Sequence, residues 1–371
     1  MTLPRPPLLL ERIEACRVAA RAQASRATIL ACDFDETLTA QDSLALLALL
    51  AHGKTMSPRD AGGGGCRCGK TLTGPAEINA CPRWSSLVDA YLADLGAHRS
   101  AWRVGAEERA RRRPPTQGPA AVAEYLAHLD AENALDAASL QRVRESRCLA
   151  GLTREEIFAL GAKVPLRPAA ARTLRRFLAA AKGDDGRHRR ELHVVSVNWS
   201  RDLILGTLTA AVEPQADEAW VASSDLEFVD GISTGAVRAQ LLVGGDKRER
   251  FMEIGRRAAD AGYHPVRTIY VGDSVNDLAC LCEFCPGLLS TYITKRFDTF
   301  SWELCAVPVV VADVGIIMGC NATLDEACKE LGVAVLGVKN ALEIPRPSDG
   351  GQVLYRANGW EELDDSGVLL T

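Results

Sequence analysis

Short apolar runs alternate with longer stretches of helical spacing along much of this chain of 371 residues. Apolar runs of about four to eight residues are typical of strands buried on both faces of a parallel sheet. The pattern predicts strands at residues 27–34, 191–197, 266–271, 307–318 and 333–337, and helices at residues 41–52, 168–181, 202–211, 247–261 and 276–283. This alternation predicts an α/β fold with a doubly wound, mostly parallel sheet of the Rossmann type.

Residues 84–162 interrupt the alternation, because they show helical spacing and no strand signal. Helical periodicity covers residues 84–95, 119–130 and 135–149. The sequence Thr153-x-x-Glu156 is a capping box and predicts one more helix, which ends before Pro165. We therefore expect an all-helical cap over residues 84–164, inserted after the first strand of the core.

Two shorter patterns predict local structure after the cap. Asp230-Gly231 lies at the centre of residues 226–237 and is a hairpin turn signal. A second capping box, Thr323-x-x-Glu326, predicts the start of another helix.

Composition suggests the remaining boundaries. Residues 53–83 are rich in glycine and interrupted by proline and cysteine, which predicts a flexible insert. The predicted core comprises residues 27–52 and 165–342, preceded by an N-terminal helix or extension at residues 1–26 and followed by a polar tail at residues 343–371.

The charge balance argues against one class of partner. Lysine and arginine number 43 against 48 acidic residues, for a formal charge of −5. A general nucleic-acid binder needs a basic excess, and a membrane span needs ~18–20 apolar residues, which the sequence lacks. We expect neither nucleic acid nor membrane as a partner and a cytoplasmic location, although the arginine-rich residues 1–26 leave organelle import open. The sequence carries no signal for oligomeric state.

The chain has 12 cysteines, some of them closely spaced. Cys66-x-Cys68 and Cys280-x-Cys282-x-x-Cys285 offer thiols of the kind that can bind zinc, but zinc sites pair such a group with a second one or with histidines at set spacing. The sequence offers no such partner, so we predict reduced, mostly buried thiols and no cysteine metal site.

Two acidic side chains follow the first predicted strand directly. Asp33 and Asp35 face the same side of an extended segment, because side chains alternate along a strand. Two carboxylates held so close repel each other unless a cation joins them, and Mg²⁺ prefers oxygen ligands of this kind. Taken alone, the pair is equally consistent with an ordinary surface loop.

A second acidic cluster follows the strand at residues 266–271. Gly272 allows the backbone to turn, Asp273 comes next, and Asp277 lies four residues further on at a helix start. Acidic residues also cap helices, which is the structural alternative for Asp277. Two acidic clusters at strand ends of one α/β chain point to a ligand site at the carboxyl edge of the sheet.

The two acidic clusters, together with a serine and a lysine between them, resemble in their order the four sequence motifs of the haloacid dehalogenase superfamily of phosphohydrolases. The motifs correspond to Asp33-Phe34-Asp35-Glu36-Thr37, Ser196 after its strand, Lys247 at a helix start, and Gly272-Asp273-Ser274-Val275-Asn276-Asp277. The resemblance implies a doubly wound core with an inserted helical cap of the C1 type. It also leaves residues 284–310 as an atypical insertion in the core.

The resemblance further implies phosphomonoester hydrolysis through an aspartyl-phosphate. Asp33 would be the nucleophile, and Asp35 the general acid and base. The cofactor would be Mg²⁺, with Asp33, Asp35 (through its carbonyl), Asp273 and Asp277 as the metal residues. The phosphate-binding residues would be Thr37, Ser196, Asn198 and Lys247.

Within the superfamily, residues 192–199 and 232–235 are similar to the plant thiamin-monophosphate phosphatases, as is Glu145-Ser146. That similarity implies a small phosphomonoester as the partner. The candidate substrate contacts are Glu145, Trp199, Trp84 and Tyr91, since an aromatic face could stack on the thiazolium cation. Core packing is an alternative for the aromatic residues, and a solvated helix face is an alternative for Glu145.

Two other functions stay open at this point. One is a phosphatase for another metabolite, such as phosphoserine, pyridoxal phosphate or a pyrimidine nucleotide. The other is a non-catalytic binding protein of the same fold, with a site damaged by the insertion at residues 284–310.

Overall fold

The computed structural model describes residues 25–55, 78–79, 81–112, 119–180, 188–213, 216–282, 313–342 and 353–371. Its strands are β1 (Arg26–Cys32), β2 (Ala150–Thr153), β3 (His188–Val195), β4 (Val221–Ala222), β5 (Asp225–Val229), β6 (Ile232–Arg238), β7 (Val266–Gly272), β8 (Val314–Met318), β9 (Ala334–Gly337) and β10 (Val353–Ala357). Seven of them form one sheet in the order β4-β3-β1-β7-β8-β10-β9. All pairs in this sheet are parallel, which confirms the predicted α/β class.

Both faces of the central strand are buried, as a doubly wound sheet requires. Leu30 of β1 packs into one apolar cluster together with Phe177, while its neighbour Ile29 packs into a second cluster together with Phe251. The described helices are α1 (Leu44–Thr55), α2 (Pro82–Arg112), α3 (Pro119–Asp130), α4 (Asn133–Ser146), α5 (Arg154–Gly161), α6 (Ala170–Ala179), α7 (Arg201–Ala211), α8 (Gly244–Asp260), α9 (Leu278–Leu281), α10 (Ala322–Leu331) and α11 (Trp360–Asp365). Phe177 lies on α6 and Phe251 on α8, so helices cover both faces of the sheet.

The segment predicted to be an all-helical cap is helical over α2, α3 and α4, but it also contains β2. This strand pairs with β6, which with β5 completes a three-stranded antiparallel sheet. Gly151 takes a left-handed φ of 91°, and the Ser233 hydroxyl accepts from the Leu152 amide at 2.8 Å. The expectation of a purely helical segment is therefore wrong, because a strand of only four residues carries too little alternation to be recognised.

Two predicted local motifs are confirmed. Thr153 caps α5, accepting from the Glu156 amide at 3.2 Å, while the Glu156 carboxylate accepts from the Thr153 amide at 2.9 Å. Asp230 and Gly231 join β5 to β6 with φ values of 51° and 78°, the positive pair that a two-residue hairpin turn favours. A third motif is corrected, because the residue that caps α10 is Asn321 and not Thr323.

Residues 353–371 of the expected polar tail are part of the core. Strand β10, which was not predicted, lies between β8 and β9, so the strand predicted at residues 333–337 forms the edge of the sheet as β9. Trp360 at the start of α11 is fully buried, and so is Leu363. Residues 343–352 are rich in glycine and proline, and the prediction of a tail grouped residues 353–371 with them. Taken separately, the apolar run of β10 and the spacing of Trp360 and Leu363 are typical of a buried strand followed by a helix.

Several predicted segments lie outside the described residues. They are nearly all of the N-terminal extension (1–24), most of the glycine-rich insert (56–77) and the whole atypical insertion (within 283–312). The proposed domain boundaries and the cytoplasmic location therefore stay predictions. Within the described part of the chain, every helix is too short or too polar to cross a membrane.

Candidate active site

The site lies at the carboxyl edge of three adjacent strands. Strands β3, β1 and β7 are neighbours in the sheet, so the residues that follow them meet at one edge. These residues are Ser196 after β3, Asp33 after β1 and Asp273 after β7, and all three are buried. Sequence position alone predicted this meeting.

Lys247 is the cation of the site. It lies in the first turn of α8, is fully buried, and its Nζ donates to Asp33 Oδ2 at 2.7 Å and to Asp277 Oδ1 at 2.8 Å. A buried charge is tolerated only when it is paired and hydrogen-bonded. Burial alone would lower the pKa of Lys247, but the carboxylates of Asp277 and Asp33 raise it well above its usual value. The lysine is therefore a fixed positive charge beside Asp33.

Asp277 is held from several sides. Its Oδ1 accepts from the Tyr270 hydroxyl at 2.9 Å, and its Oδ2 accepts from the Ser274 hydroxyl at 3.0 Å and the Asp273 amide at 3.2 Å. A Cβ added to Gly272 would lie 2.4 Å from Asp277 Cγ, so only glycine fits there. The turn after β7 thus fixes the carboxylate that faces Lys247.

Three carboxylates crowd together in this site. One oxygen each of Asp33, Asp273 and Asp277 lie within 4.8 Å of one another. Burial raises the pKa of Asp33 to about 6; the charge of Asp277 adds to this rise, and the charge of Lys247 opposes it. Burial, with repulsion from Asp277 and Asp33, raises the pKa of Asp273 to about 8. Among the described residues this cluster has one lysine for three carboxylates and so lacks positive charge, and its oxygen-only donors fit a hard divalent cation such as Mg²⁺.

Asp35 belongs to a separate hydrogen-bonded group. Its Oδ1 accepts from the Ser43 amide at 2.8 Å and its Oδ2 from the Asn198 side-chain amide at 2.7 Å. The same Asn198 nitrogen donates to the Ser43 hydroxyl at 2.9 Å. Burial raises the pKa of Asp35, as does the charge of Asp42, while the bonds from Asn198 and Ser43 oppose this. The hydrogen bonds hold the carboxyl in one orientation, while burial and the charge of Asp42 extend the range of pH over which it stays protonated.

Two tertiary contacts hold the loop between Asp33 and Thr39. Trp360 Nε1 donates to the Thr37 carbonyl at 2.8 Å, and Arg167 Nε donates to the Glu36 carbonyl at 2.5 Å. Glu36 has a left-handed φ of 56°, which costs energy in a residue other than glycine. The Thr37 hydroxyl donates to Asp273 Oδ1 at 2.5 Å, so the same loop reaches the carboxylate cluster.

Sequence reasoning missed four residues of this arrangement: Ser43, Tyr270, Trp360 and Arg167. Tyr270 has the pattern of a buried strand residue, and its position three residues before Asp273 was the only available signal. Trp360 and Arg167 act through contacts between distant segments, which no local pattern encodes, and Ser43 meets Asp35 across a loop without a recognisable motif.

Of the four predicted substrate residues, Trp199 directly follows Asn198, and the other three lie on α2 and α4. Trp84 is buried in the apolar cluster on one face of the sheet, and Trp199 is half-buried against the same cluster. Tyr91 on α2 is hydrogen-bonded to Asp136 of α4, and Glu145 is exposed and accepts from Gln141 at 2.8 Å. Their role toward a substrate stays a prediction.

The described cysteines are free thiols. Cys280 and Cys282 are fully buried, and burial raises the pKa of both. Cys66, Cys68 and Cys285 lie outside the described residues.

Comparison with known proteins gives partial matches, and no protein-family model matches the chain. The chain is 26% identical over 276 residues to the CTO1 family protein C17G9.12c of Schizosaccharomyces pombe, covering 72% of this chain and 84% of that protein. Over 149 residues, or 40% of this chain, it is 30% identical to the mitochondrial bifunctional TH2 protein of Arabidopsis thaliana, of which the match spans 23%.

Among solved structures, a phosphoserine phosphatase described as a phospho-aspartyl intermediate analogue matches with a TM-score of 0.37 and 14% identity. The match covers 81% of this chain and 91% of that chain. Among the solved structures the resemblance is thus to a phosphatase, and phosphatase activity of this chain remains a prediction.

Proposed function

We propose that this protein is a Mg²⁺-dependent phosphomonoester hydrolase that forms an aspartyl-phosphate on Asp33, with thiamin monophosphate as its substrate. The observation that carries the proposal is the contact of 2.7 Å between Lys247 and Asp33, made at a strand end beside two further carboxylates. A nucleophilic carboxylate, a fixed cation and a cluster suited to a divalent ion are the groups that this chemistry needs.

The residues present fit the metal ion. Asp33 and Asp273 would hold Mg²⁺ together with the backbone carbonyl of Asp35, while Asp277 supports the cluster through its bonds to Lys247 and Tyr270. When bound, the ion would neutralise negative charge on the phosphoryl group and help to orient it.

Asp33 performs the first chemical step. One of its carboxylate oxygens attacks phosphorus, and the bond between phosphorus and the ester oxygen breaks. A hydrogen bond from Ser196 lowers the pKa of Asp33, as Lys247 does, and both favour the ionised form that can attack. The ammonium group of Lys247 also opposes the negative charge that develops on the phosphoryl oxygens in the transition state.

Asp35 transfers the proton. Its raised pKa favours the protonated acid, which donates to the departing alcohol oxygen. Once ionised, Asp35 accepts a proton from the water that attacks the aspartyl-phosphate. The hydrogen bond from Asn198 to Asp35 supports a role for Asn198 in orienting the Asp35 carboxyl, in addition to its predicted contact with phosphate.

The support for thiamin monophosphate is the resemblance of residues 192–199 and 232–235 to the plant phosphatases, together with the 149-residue match to the Arabidopsis protein. The phosphate-binding groups cannot discriminate among substrates, because any phosphomonoester presents the same group to them. Specificity must come from residues around the alcohol, and the candidate is Trp199, which directly follows the predicted phosphate ligand Asn198.

The test is phosphate release from thiamin monophosphate, phosphoserine, pyridoxal phosphate and uridine monophosphate, each with Mg²⁺ and with chelator. We expect the highest kcat/KM for thiamin monophosphate and no turnover without the metal. Asp33→Asn should lower turnover by about 10⁴-fold or more, whereas Asp260→Asn, at an exposed acid of α8, should leave it unchanged.

A different result would reject each part of the proposal. A higher kcat/KM for another member of the panel would reject thiamin monophosphate and keep the hydrolase. Absence of phosphate release from all four substrates would favour the non-catalytic binding protein. Near-normal turnover in Asp33→Asn would reject the covalent mechanism.

A further inference from the structure

A second group of metal-ligating side chains lies among the inserted helices. It consists of His98 on α2, His128 on α3 and Glu132 in the turn before α4. One ligand atom of each lies within 4.8 Å of the other two. The Glu132 amide donates to the Leu129 carbonyl at 2.9 Å, so the helical turn continues past α3 and places Glu132 one turn beyond His128.

These side chains are largely shielded from solvent. His128 is 8% exposed and Glu132 4% exposed. His98 is half-buried, but its Nε2 atom is buried and has no hydrogen-bond partner among the described residues. A buried nitrogen without a partner carries a desolvation cost of about 1–3 kcal/mol, which a bound ion would relieve.

Aromatic stacking holds the group together. The His128 ring lies between His98 and Trp102, with centroid distances of 4.6 and 4.0 Å and interplanar angles of 9° and 8°. Ligand lone pairs lie in the ring plane, so two parallel imidazoles do not aim at one point. Binding of one ion by both histidines would therefore require the half-buried His98 ring, at the end of the stack, to turn so that its nitrogen points toward His128 and Glu132.

Charge also favours a cation here. Arg99 contacts Glu132 Oε1 at 3.1 Å, and Asp136 lies one turn further along α4. The two carboxylates therefore exceed the one arginine by a single negative charge, while both histidines are neutral when they bind a metal.

We propose that His98, His128 and Glu132 form a binding site for a divalent transition-metal ion of the zinc type. Two imidazoles and a carboxylate are a ligand set that zinc accepts, and imidazole selects such ions over Mg²⁺. A bound ion joins α2 to the turn between α3 and α4. The site shares no residue with the carboxylate cluster at the sheet edge.

The test is a Co²⁺ titration of the full-length protein in excess Mg²⁺, which occupies oxygen-only sites. We expect one saturable equivalent with visible absorption bands of nitrogen and oxygen ligation and without the near-ultraviolet band of a thiolate ligand. His98→Gln and His128→Gln should each weaken Co²⁺ binding by at least about tenfold. His264→Gln, at an exposed histidine, is the matched control and should bind as the wild type does.

A second readout uses the stacked indole. Co²⁺ should quench part of the tryptophan fluorescence in the wild type, and Trp102→Phe should lose that part while keeping the visible bands. Circular dichroism checks the fold of each variant. Should His128→Gln be unfolded, the test rests on His98→Gln, because His98 is less buried. A wild type without saturable visible bands, bands that persist in His98→Gln, or a thiolate band alone would each overturn the proposal.

Discussion

The indole Nε1 of Trp360 donates a hydrogen bond of 2.8 Å to the backbone carbonyl of Thr37, although 323 positions separate the two residues. Thr37 in turn donates to Asp273, one of the three clustered carboxylates. A fully buried tryptophan in the last described segment therefore helps to fix the loop that follows the proposed nucleophile.

Trp360→Phe tests this relationship, because phenylalanine keeps most of the buried ring and removes the donor. The Thr37 carbonyl loses its bond, which should cost about 1–3 kcal/mol of unfolding free energy. We expect a lower kcat with little change in KM, measured beside thermal unfolding. Trp220→Phe, at a half-buried tryptophan on the sheet edge, should leave kcat unchanged. Equal kcat for wild type and Trp360→Phe would show that packing alone positions the loop.

Asp35→Asn should separate the two chemical steps. An aryl phosphate has a good leaving group and needs little acid assistance, so Asp33 is still phosphorylated in the variant. The second step lacks its base, and the phosphoenzyme accumulates. Rapid mixing with p-nitrophenyl phosphate should give a burst of one equivalent of nitrophenol, followed by slow turnover. A steady rate without a burst would remove Asp35 from the second step.

Asp136→Asn should raise stability in a pH-dependent way. Burial raises the pKa of Asp136 from 3.8 to about 6, although its hydrogen bond with Tyr91 opposes the rise. Because the folded state binds this proton more tightly, the ionised carboxylate destabilises the fold above about pH 6 and has no such effect below the unfolded pKa. Asparagine carries no charge and still accepts a bond from Tyr91.

With divalent ions removed, we expect the Tm of Asp136→Asn to rise by roughly 2 °C at pH 8 and not at pH 4, since solvent screens this partly buried group. Glu145→Gln, at an exposed position of the same helix, is the control and should not change the Tm at either pH. An equal shift at both values of pH would assign the effect to packing.

Trp199→Ala tests the proposed recognition of the thiazolium ring. A cation over an aromatic face contributes about 0.5–2 kcal/mol, so the KM for thiamin monophosphate should rise several-fold. The KM for p-nitrophenyl phosphate, which has no cation, should stay the same. Trp220→Ala is the matched control, since Trp220 is half-buried against the same cluster. Equal increases for both substrates would mean that Trp199 serves packing alone.

Local patterns predicted the parts of this protein that depend on nearby residues. The apolar run of β1 and the acids that follow it were sufficient to place Asp33 at a sheet edge, and Asp230-Gly231 was sufficient for the hairpin. Four-residue β2 was missed because so short a strand shows no periodicity. The bond from Asn198 to Asp35 and that from Trp360 to Thr37 were also missed, since each depends on how distant segments meet.

The position of β10 has a consequence for how the molecule is assembled. Strand β9 pairs with β10 and lies at the edge, so it has no neighbour in the sheet until β10 is in place. During synthesis, β1 leaves the ribosome long before residues 353–371, yet the loop after β1 receives its bond from Trp360. Contacts of such long sequence separation form late, because closing a long loop costs entropy first. A nascent chain that already contains every proposed catalytic residue therefore still lacks the hydrogen bond from Trp360 that fixes the loop after Asp33. We expect activity to begin only after translation has passed Trp360.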